Sequence, residues 1–258
     1  MSIHATDSLD NQRHALLHPA LRGVRAVLFD VGGTLLHPDW ERLAQFAQEQ
    51  TGRELNAEEL TRALKEILRA VDVALRDGGP PPADTHRRGW IFHRMYGALG
   101  FDEEMCERLN VSVDAAHTER HLWCGLDQDA PRVLTALSKM GLRLAVISNT
   151  EDGRLDELLE LAGIKSHFDF LLDSFVVKQR KPDAAIFQLA LSHLELQPDQ
   201  AVYVGDSYGH DALAALAVGM RAVLVDPLGL FPDAVCPRIH SLGELIGETK
   251  TNVTSYSS

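Results

Sequence analysis

Four short stretches carry residue types that could do chemistry together. "LFDVGGT" sets Asp30 at the end of the apolar run Ala26, Val27, Leu28 and Phe29, then adds Gly32, Gly33 and Thr34. "VISN" closes on Ser148 and Asn149, "KPD" opens on Lys181, and "VGDSYGHD" offers Asp206 with Asp211 five residues on. Each has an ordinary explanation alone: a strand-terminal aspartate often caps a turn, Ser-Asn and Gly-Asp-Ser are common turns, and a lysine before proline is normally solvated. Their joint chemistry is less ordinary. Two like charges about 4 Å apart repel by about 4 kcal/mol at an effective dielectric near 20, so Asp30, Asp206 and Asp211 at one point need compensation or take up protons. A divalent cation and the Lys181 ammonium would offset all three. An oxygen-only donor set suits Mg²⁺, which keeps waters and shares phosphate oxygens, and Ser148 can donate to those oxygens. This is equipment for phosphoryl transfer, in which a group is positioned, neutralised and attacked in line.

Convergence requires elements that end at one edge. Residues 24–30 read as a buried strand. From 39 to about 119 the pattern is helical: Trp40, Leu43, Phe46 and Ala47 share one face, and Leu60, Leu64, Ile67, Leu68, Val71 and Leu75 mark a longer helix. Asn56 with Glu59 predicts a capping box at its start, and "DGGPPPAD" from Asp77 to Asp84 ends it. After Gly125 helices and strands alternate: helix 130–140, strand 142–148, helix 153–162, strand 168–174, helix 183–194, strand 201–206, helix 208–218 and strand 221–226. Alternation of this kind argues for an α/β fold with a parallel sheet covered on both faces. The expected organisation is an N-terminal arm (1–23), a core strand and turn (24–36), an inserted helical cap (37–125), the rest of the core (126–247) and a polar tail (248–258). Ligands of such sheets sit beyond the carboxyl ends of the strands, where all four stretches fall.

In these motifs the sequence resembles the haloacid dehalogenase superfamily of hydrolases, in the type with a helical cap after the first motif. The match runs over residues 26–211. The resemblance implies a Rossmann-like core and an Asp30 nucleophile that becomes an aspartyl-phosphate. It implies Mg²⁺ held by Asp30, Asp206 and the backbone carbonyl of Gly32, with Asp211 supporting that metal shell. Thr34 would orient the nucleophile, and Ser148, Asn149 and Lys181 would hold the transferring group, with Gly33 in the same substrate-binding set. The superfamily also contains dehalogenases that need no metal, and these typically replace the Gly-Asp of the fourth motif. Here Gly205-Asp206 is intact, which favours a metal-dependent phosphoryl enzyme. "LRLAVISN", "HFDFLLDS" and "KPDAAIFQLAL" further resemble the group of haloacid dehalogenase-like hydrolase domain-containing protein 3, also called rhythmically expressed gene 2-like.

One departure stands out. Phosphatases of this superfamily typically carry a second aspartate two residues after the nucleophile, as acid and base; here that position is Gly32. Losing a general acid–base costs about 10²–10⁴ in rate. Three explanations stay open: a leaving group that needs no acid, as in acyl or aryl phosphates or a phosphonate; a substitute such as His37, His210, His86 or His93; or a weakly catalytic binding module. Phosphonoacetaldehyde hydrolases of the superfamily also lack this aspartate and use a cap lysine. The one lysine between residues 37 and 125 is Lys65, whose neighbours Leu64 and Glu66 predict an exposed position paired with glutamate. Arg87, Arg88 and Arg94 are further cap residues that could meet an anionic substrate.

Composition narrows the classes. Of 258 residues 45% are hydrophobic, enough for a sizeable core, and the formal net charge of −12 argues against nucleic-acid and anionic-membrane partners. The expected partner is a small anionic phosphorylated substrate, the expected assembly a monomer or homodimer. Cys106, Cys124 and Cys236 form no CxxC, which fits a reduced cytoplasm. The first 23 residues carry Asp7 and Asp10 and no apolar signal-peptide core. Two classes remain, a Mg²⁺-dependent hydrolase, phosphatase- or phosphonatase-like, and a weakly catalytic phosphate-binding module.

Overall fold

The strand that carries Asp30, β1 (Ala26–Phe29), is buried at every position, so both of its faces must be covered. A computed structural model describes residues 17–80 and 89–247. Beyond β1 the chain makes a two-residue strand, β2 (Leu36–His37), that pairs antiparallel with β3 (Gly125–Leu126). Between them lie α1 (Trp40–Thr51), α2 (Ala57–Arg76), α3 (Trp90–Ala98) and α4 (Glu103–Glu119). The chain then alternates: α5 (Ala130–Lys139), β4 (Arg143–Ser148), α6 (Leu155–Leu161), β5 (Phe170–Asp173), a single turn α7 (Ser174–Val177), α8 (Ala184–Leu194), β6 (Ala201–Gly205), a π-helical turn (Tyr208–Leu213) running into α9 (Ala214–Ala217), β7 (Arg221–Val225) and β8 (Arg238–Ile239).

The main sheet has the order β5-β4-β1-β6-β7-β8, and every pairing in it is parallel. Side chains alternate between its faces. Val27, Phe29, Val146 and Val204 join Val133 and Leu137 of α5 in one apolar layer. Leu28, Ala145, Ile147 and Tyr203 join Ile186 and Phe187 of α8 in the other. Each such side chain contributes about 1.5–3 kcal/mol on burial, so the two layers hold the sheet between its helices. This is the α/β, Rossmann-like architecture expected from the alternation. A third apolar cluster, with Leu43, Leu60, Leu64, Met95, Tyr96 and Leu109, joins α1 to α4. The capping box forms at the start of α2: Glu59 N–H donates to Asn56 Oδ1 (3.0 Å) and Asn56 N–H to Glu59 Oε2 (3.0 Å).

Three features depart from the sequence expectations. The sheet gains a sixth strand, β8, two residues long and too short to show a period. The expected helix 208–218 begins as a π turn, a form often found at functional sites. Strand β1 stops at Phe29, although Asp30 N–H still donates to Val204 O (2.9 Å) and so holds the aspartate in the ladder. No helix among the described residues is long and apolar enough to cross a membrane.

Candidate active site

Asp30 follows β1 directly, Ser148 ends β4, and Asp206 follows β6 directly. The neighbouring parallel strands β4, β1 and β6 therefore bring all three to the same carboxyl edge. Carboxylate oxygens of Asp30, Asp206 and Asp211 lie within 4.8 Å of one another, and all three residues are buried. Lys181, only 3% exposed, reaches them from the loop before α8: its Nζ donates to Asp30 Oδ1 (2.6 Å), Asp211 Oδ1 (2.7 Å) and Tyr203 Oη (2.8 Å). Tyr203 Oη–H in turn donates to the Ile147 carbonyl (2.7 Å). Burial pushes the Asp30 carboxyl up to about 7 against the pull of Lys181, and Asp211 and Asp206 push the same way. Burial also raises Asp211. Burial alone would lower Lys181, but Asp211 and Asp30 outweigh it and hold the ammonium charged.

Two glycines make the cluster possible. A Cβ on Gly33, whose φ is +86°, would stand 2.2 Å from Asp206 Oδ2, and one on Gly205 would stand 2.3 Å from Asp211 Oδ2. Both distances are far inside van der Waals contact, so only glycine admits the carboxylates. Gly33 was expected to bind substrate, but its N–H donates to the Leu36 carbonyl (2.7 Å) and is not free. Asn149, expected to hold the transferring group, lines the cavity, and its side chain clamps the Lys181 backbone: Nδ2 donates to the Lys181 carbonyl and Oδ1 accepts the Lys181 N–H, both at 2.9 Å. Ser148 lines the cavity beside Asp30. Thr34 is buried and its Oγ1 finds no hydrogen-bond partner among the described residues.

The position expected for Lys65 is overturned. Its Nζ donates to Asp206 Oδ2 at 2.5 Å, with only 12% of the side chain exposed. One helical face explains this: Lys65, Leu68, Asp72 and Leu75 follow at spacings of three and four on α2. That face lies on the fourth motif, where the carboxylate of Asp72 accepts Ser207 Oγ–H (2.5 Å), Tyr208 N–H (2.7 Å) and Gly209 N–H (3.0 Å). Asp72 is 1% exposed. Sequence reading missed it, and also missed Tyr203, because both stand inside regular apolar patterns; a charged residue within the apolar stripe of α2 was the one available signal.

Asp30, Gly32, Ser148, Lys181, Asp206 and Asp211 open on one cavity of about 500 Å³ between the sheet edge and the helical block. Trp123 lies over Gly32: a Cβ there would touch the indole ring at 3.4 Å. Trp123 N–H donates to His121 Nδ1 (3.2 Å), and His121 and His117 stand 3.9 and 3.2 Å from Asp152 Oδ2. Burial and His117 lower His121 to about 4. Burial would raise Asp152, but hydrogen bonds from His117 and the Arg154 N–H outweigh it and hold it at about 2. Glu151 lines the same cavity and accepts Gly89 N–H (3.2 Å).

Of the candidate substitute acids, His210 lines the cavity but contacts Ser207 Oγ (3.2 Å). His37 turns to Asp127 (3.2 Å). His93 stands 3.4 Å from Glu103, and Arg94 stacks on Trp90 at 5.9 Å. His86, Arg87 and Arg88 lie outside the described residues.

The donor set fits a hard divalent cation: three buried carboxylates with no nitrogen or sulfur ligand among them. Both oxygens of Asp211 are engaged within it, one by Lys181 Nζ (2.7 Å) and one by Ser207 N–H (3.0 Å).

A family model for hydrolases, described as haloacid dehalogenase-like hydrolase, matches residues 24–219. Haloacid dehalogenase-like hydrolase domain-containing protein 3 of Homo sapiens is 33% identical over 232 residues, which is 86% of this chain and 91% of that protein. Ribulose-1,5-bisphosphate 5-phosphatase of Halopiger xanaduensis is 28% identical over 203 residues, covering 78% of this chain and 84% of the relative. Among solved structures, the HAD-hydrolase YfnB of Bacillus subtilis bound to magnesium superposes with a TM-score of 0.61 at 17% identity, over 87% of this chain and 97% of that one.

Proposed function

This chain belongs to the haloacid dehalogenase-like hydrolase family, and on that premise we propose that it is a Mg²⁺-dependent phosphatase of small phosphorylated compounds. The observation that carries this reading is the direct contact of Lys181 with both Asp30 (2.6 Å) and Asp211 (2.7 Å) inside the carboxylate cluster. Simple anion binding needs no buried carboxylate at the centre of the pocket; covalent phosphoryl transfer does. The phosphatase named among its relatives supports the same class.

Asp30 and Asp206, with the Gly32 carbonyl, would hold Mg²⁺, and Asp211 would support them. The ion supplies charge neutralisation to the transferring phosphoryl group. Asp30 attacks phosphorus in line, the bond to the leaving oxygen breaks, and an aspartyl-phosphate forms. Lys181 steadies the nucleophile and the phosphoryl oxygens, Asn149 fixes the Lys181 backbone, and Ser148 donates to the same oxygens. Water then attacks phosphorus and releases phosphate and Asp30. A phosphonatase-like variant would require Lys65 as a free amine, and Lys65 instead donates to Asp206.

Purified protein assayed with acetyl phosphate, phosphate monoesters and phosphonoacetaldehyde tests the reading. Phosphate release is expected with Mg²⁺, and none with EDTA or in Asp30→Asn. Equal anion binding in wild type and Asp30→Asn, with no turnover of any compound, would leave a binding module.

A further inference from the structure

Much of the lining of this cavity is apolar and aromatic. Leu68, Trp90, Phe92, Val113, Trp123 and Leu158 line it. Phe92 and Trp123 stand 5.9 Å apart between ring centres, so two flat surfaces meet near the nucleophile loop. At position 32 no side chain is available to protonate a departing oxygen, and the Trp123 ring lies where a Cβ on that residue would make contact, at 3.4 Å. A Cβ on residue 32 would rest in ordinary contact with the indole. Among the described residues of the lining, His117 and His121 face Asp152, His210 contacts Ser207, Glu151 accepts Gly89 N–H, and Arg180 and Asp183 add to its charged part.

We infer that the substrate is an aryl phosphate, a phosphate monoester of a phenol-type hydroxyl carried on a flat apolar body. The inference rests on the phosphatase reading and adds the substrate class. A phenol-type oxygen departs as a stable anion, so its loss does not require a proton in the transition state, and its ring fills a wall that would only desolvate a sugar. In the first step the Asp30 oxygen bonds to phosphorus, the P–O(aryl) bond breaks, and the electron pair leaves with the aryl oxygen, which takes a proton from solvent. In the second, water bonds to phosphorus, the P–O(Asp30) bond breaks, and the water proton ends on the released phosphate.

A leaving-group series with Mg²⁺ tests this: nitrophenyl, phenyl and 1-naphthyl phosphates against glycerol and hexose phosphates, with acetyl phosphate as reference. Without an acid, kcat/KM for the alkyl esters is expected about 10²–10⁴-fold below the nitrophenyl ester, and 1-naphthyl phosphate is expected to have the lowest KM among the esters. Trp123→Ala should raise that KM about tenfold. Gly32→Asp should raise kcat for the alkyl esters about 10²-fold and leave the nitrophenyl ester nearly unchanged, because only the poorer leaving groups need the acid. Should either variant fail to fold, the wild-type series decides alone. A series flat in leaving-group acidity would overturn the inference, and a slope that then appears in Glu151→Gln would identify Glu151 as the acid. Hydrolysis of acetyl phosphate with all esters equal would sink the aryl class yet keep the phosphatase. No Asp30-dependent turnover of any compound would sink both.

Discussion

At the scale of single residues, the site balances charge with little to spare. Asp30, Asp206 and Asp211 face two ammoniums, Lys181 and Lys65, so the cluster is stable as a set and costly in part. Removing one partner of a buried pair typically costs about 3–5 kcal/mol. Lys65 and a bound Mg²⁺ would both draw on the carboxylate of Asp206, and like charges in contact with one oxygen repel. Lys65→Met should therefore bind Mg²⁺ at least about tenfold more tightly, read by calorimetric titration without substrate; unchanged or weaker binding would show that Lys65 does not compete. The convergence of Asp30, Lys181, Asp206 and Asp211 was legible in the sequence because each stands at or just beyond a strand end, where backbone direction alone fixes position. Lys65 was not legible. Its helical face was readable, but whether that face met solvent or the sheet edge depended on how α2 is docked, which no local pattern encodes. Trp123 over Gly32 joins parts of the chain far apart in sequence and was hidden for the same reason.

The element that makes this docking is α2. Lys65 and Asp72 sit two turns apart on one face and meet successive residues of the fourth motif. Asp72 takes three hydrogen bonds there, from Ser207, Tyr208 and Gly209. Gly209 belongs to the same contact: a Cβ on it would stand 3.1 Å from both Asp72 Oδ1 and Leu75 Cβ. Asp72→Ala would leave buried N–H groups of the π turn unpaired, each costing about 1–3 kcal/mol. A loss of about 3 kcal/mol is expected, or roughly 6–12 °C in thermal midpoint for a chain of this size. Calorimetry of Asp72→Ala beside Asp72→Asn checks it, since asparagine keeps one acceptor oxygen and should fall between. Most helices and strands were readable from period and flanking residues. The two-residue pair β2–β3, the short β8 and the π turn were not, since each is shorter than any period or is shaped by its contacts with distant residues.

For the whole molecule, the seam between the helical block and the sheet is polar and responds to acid. It is tied by Glu151 to Gly89 N–H and by Asp152 to His117 and His121. His121 stays neutral in the folded protein down to about pH 4, because burial, then the neighbouring His117, opposes its charge. In the unfolded chain it takes its proton near the ordinary value of 6.5. Between these values the unfolded state holds more protons at this histidine, so its contribution to stability must fall as pH falls. The loss approaches roughly 3 kcal/mol across that window. His18, also lowered by burial, adds in the same direction. Asp152 acts in a separate, lower window: its carboxyl is held at about 2 against an ordinary 3.8, so its stabilisation persists until the pH drops through that range. Asp30, raised to about 7, takes up its proton in the folded state over the same window and works the other way, so the share of His121 is read as the difference between wild type and His121→Gln in urea denaturation at pH 7.0, 5.5 and 4.5. Relative to wild type, His121→Gln should gain stability as pH falls over this interval, and the gain should already show above pH 4.5, where the contribution of Asp152 is constant. An identical slope in the variant would assign the acid sensitivity to other groups and leave the histidine pair as packing alone.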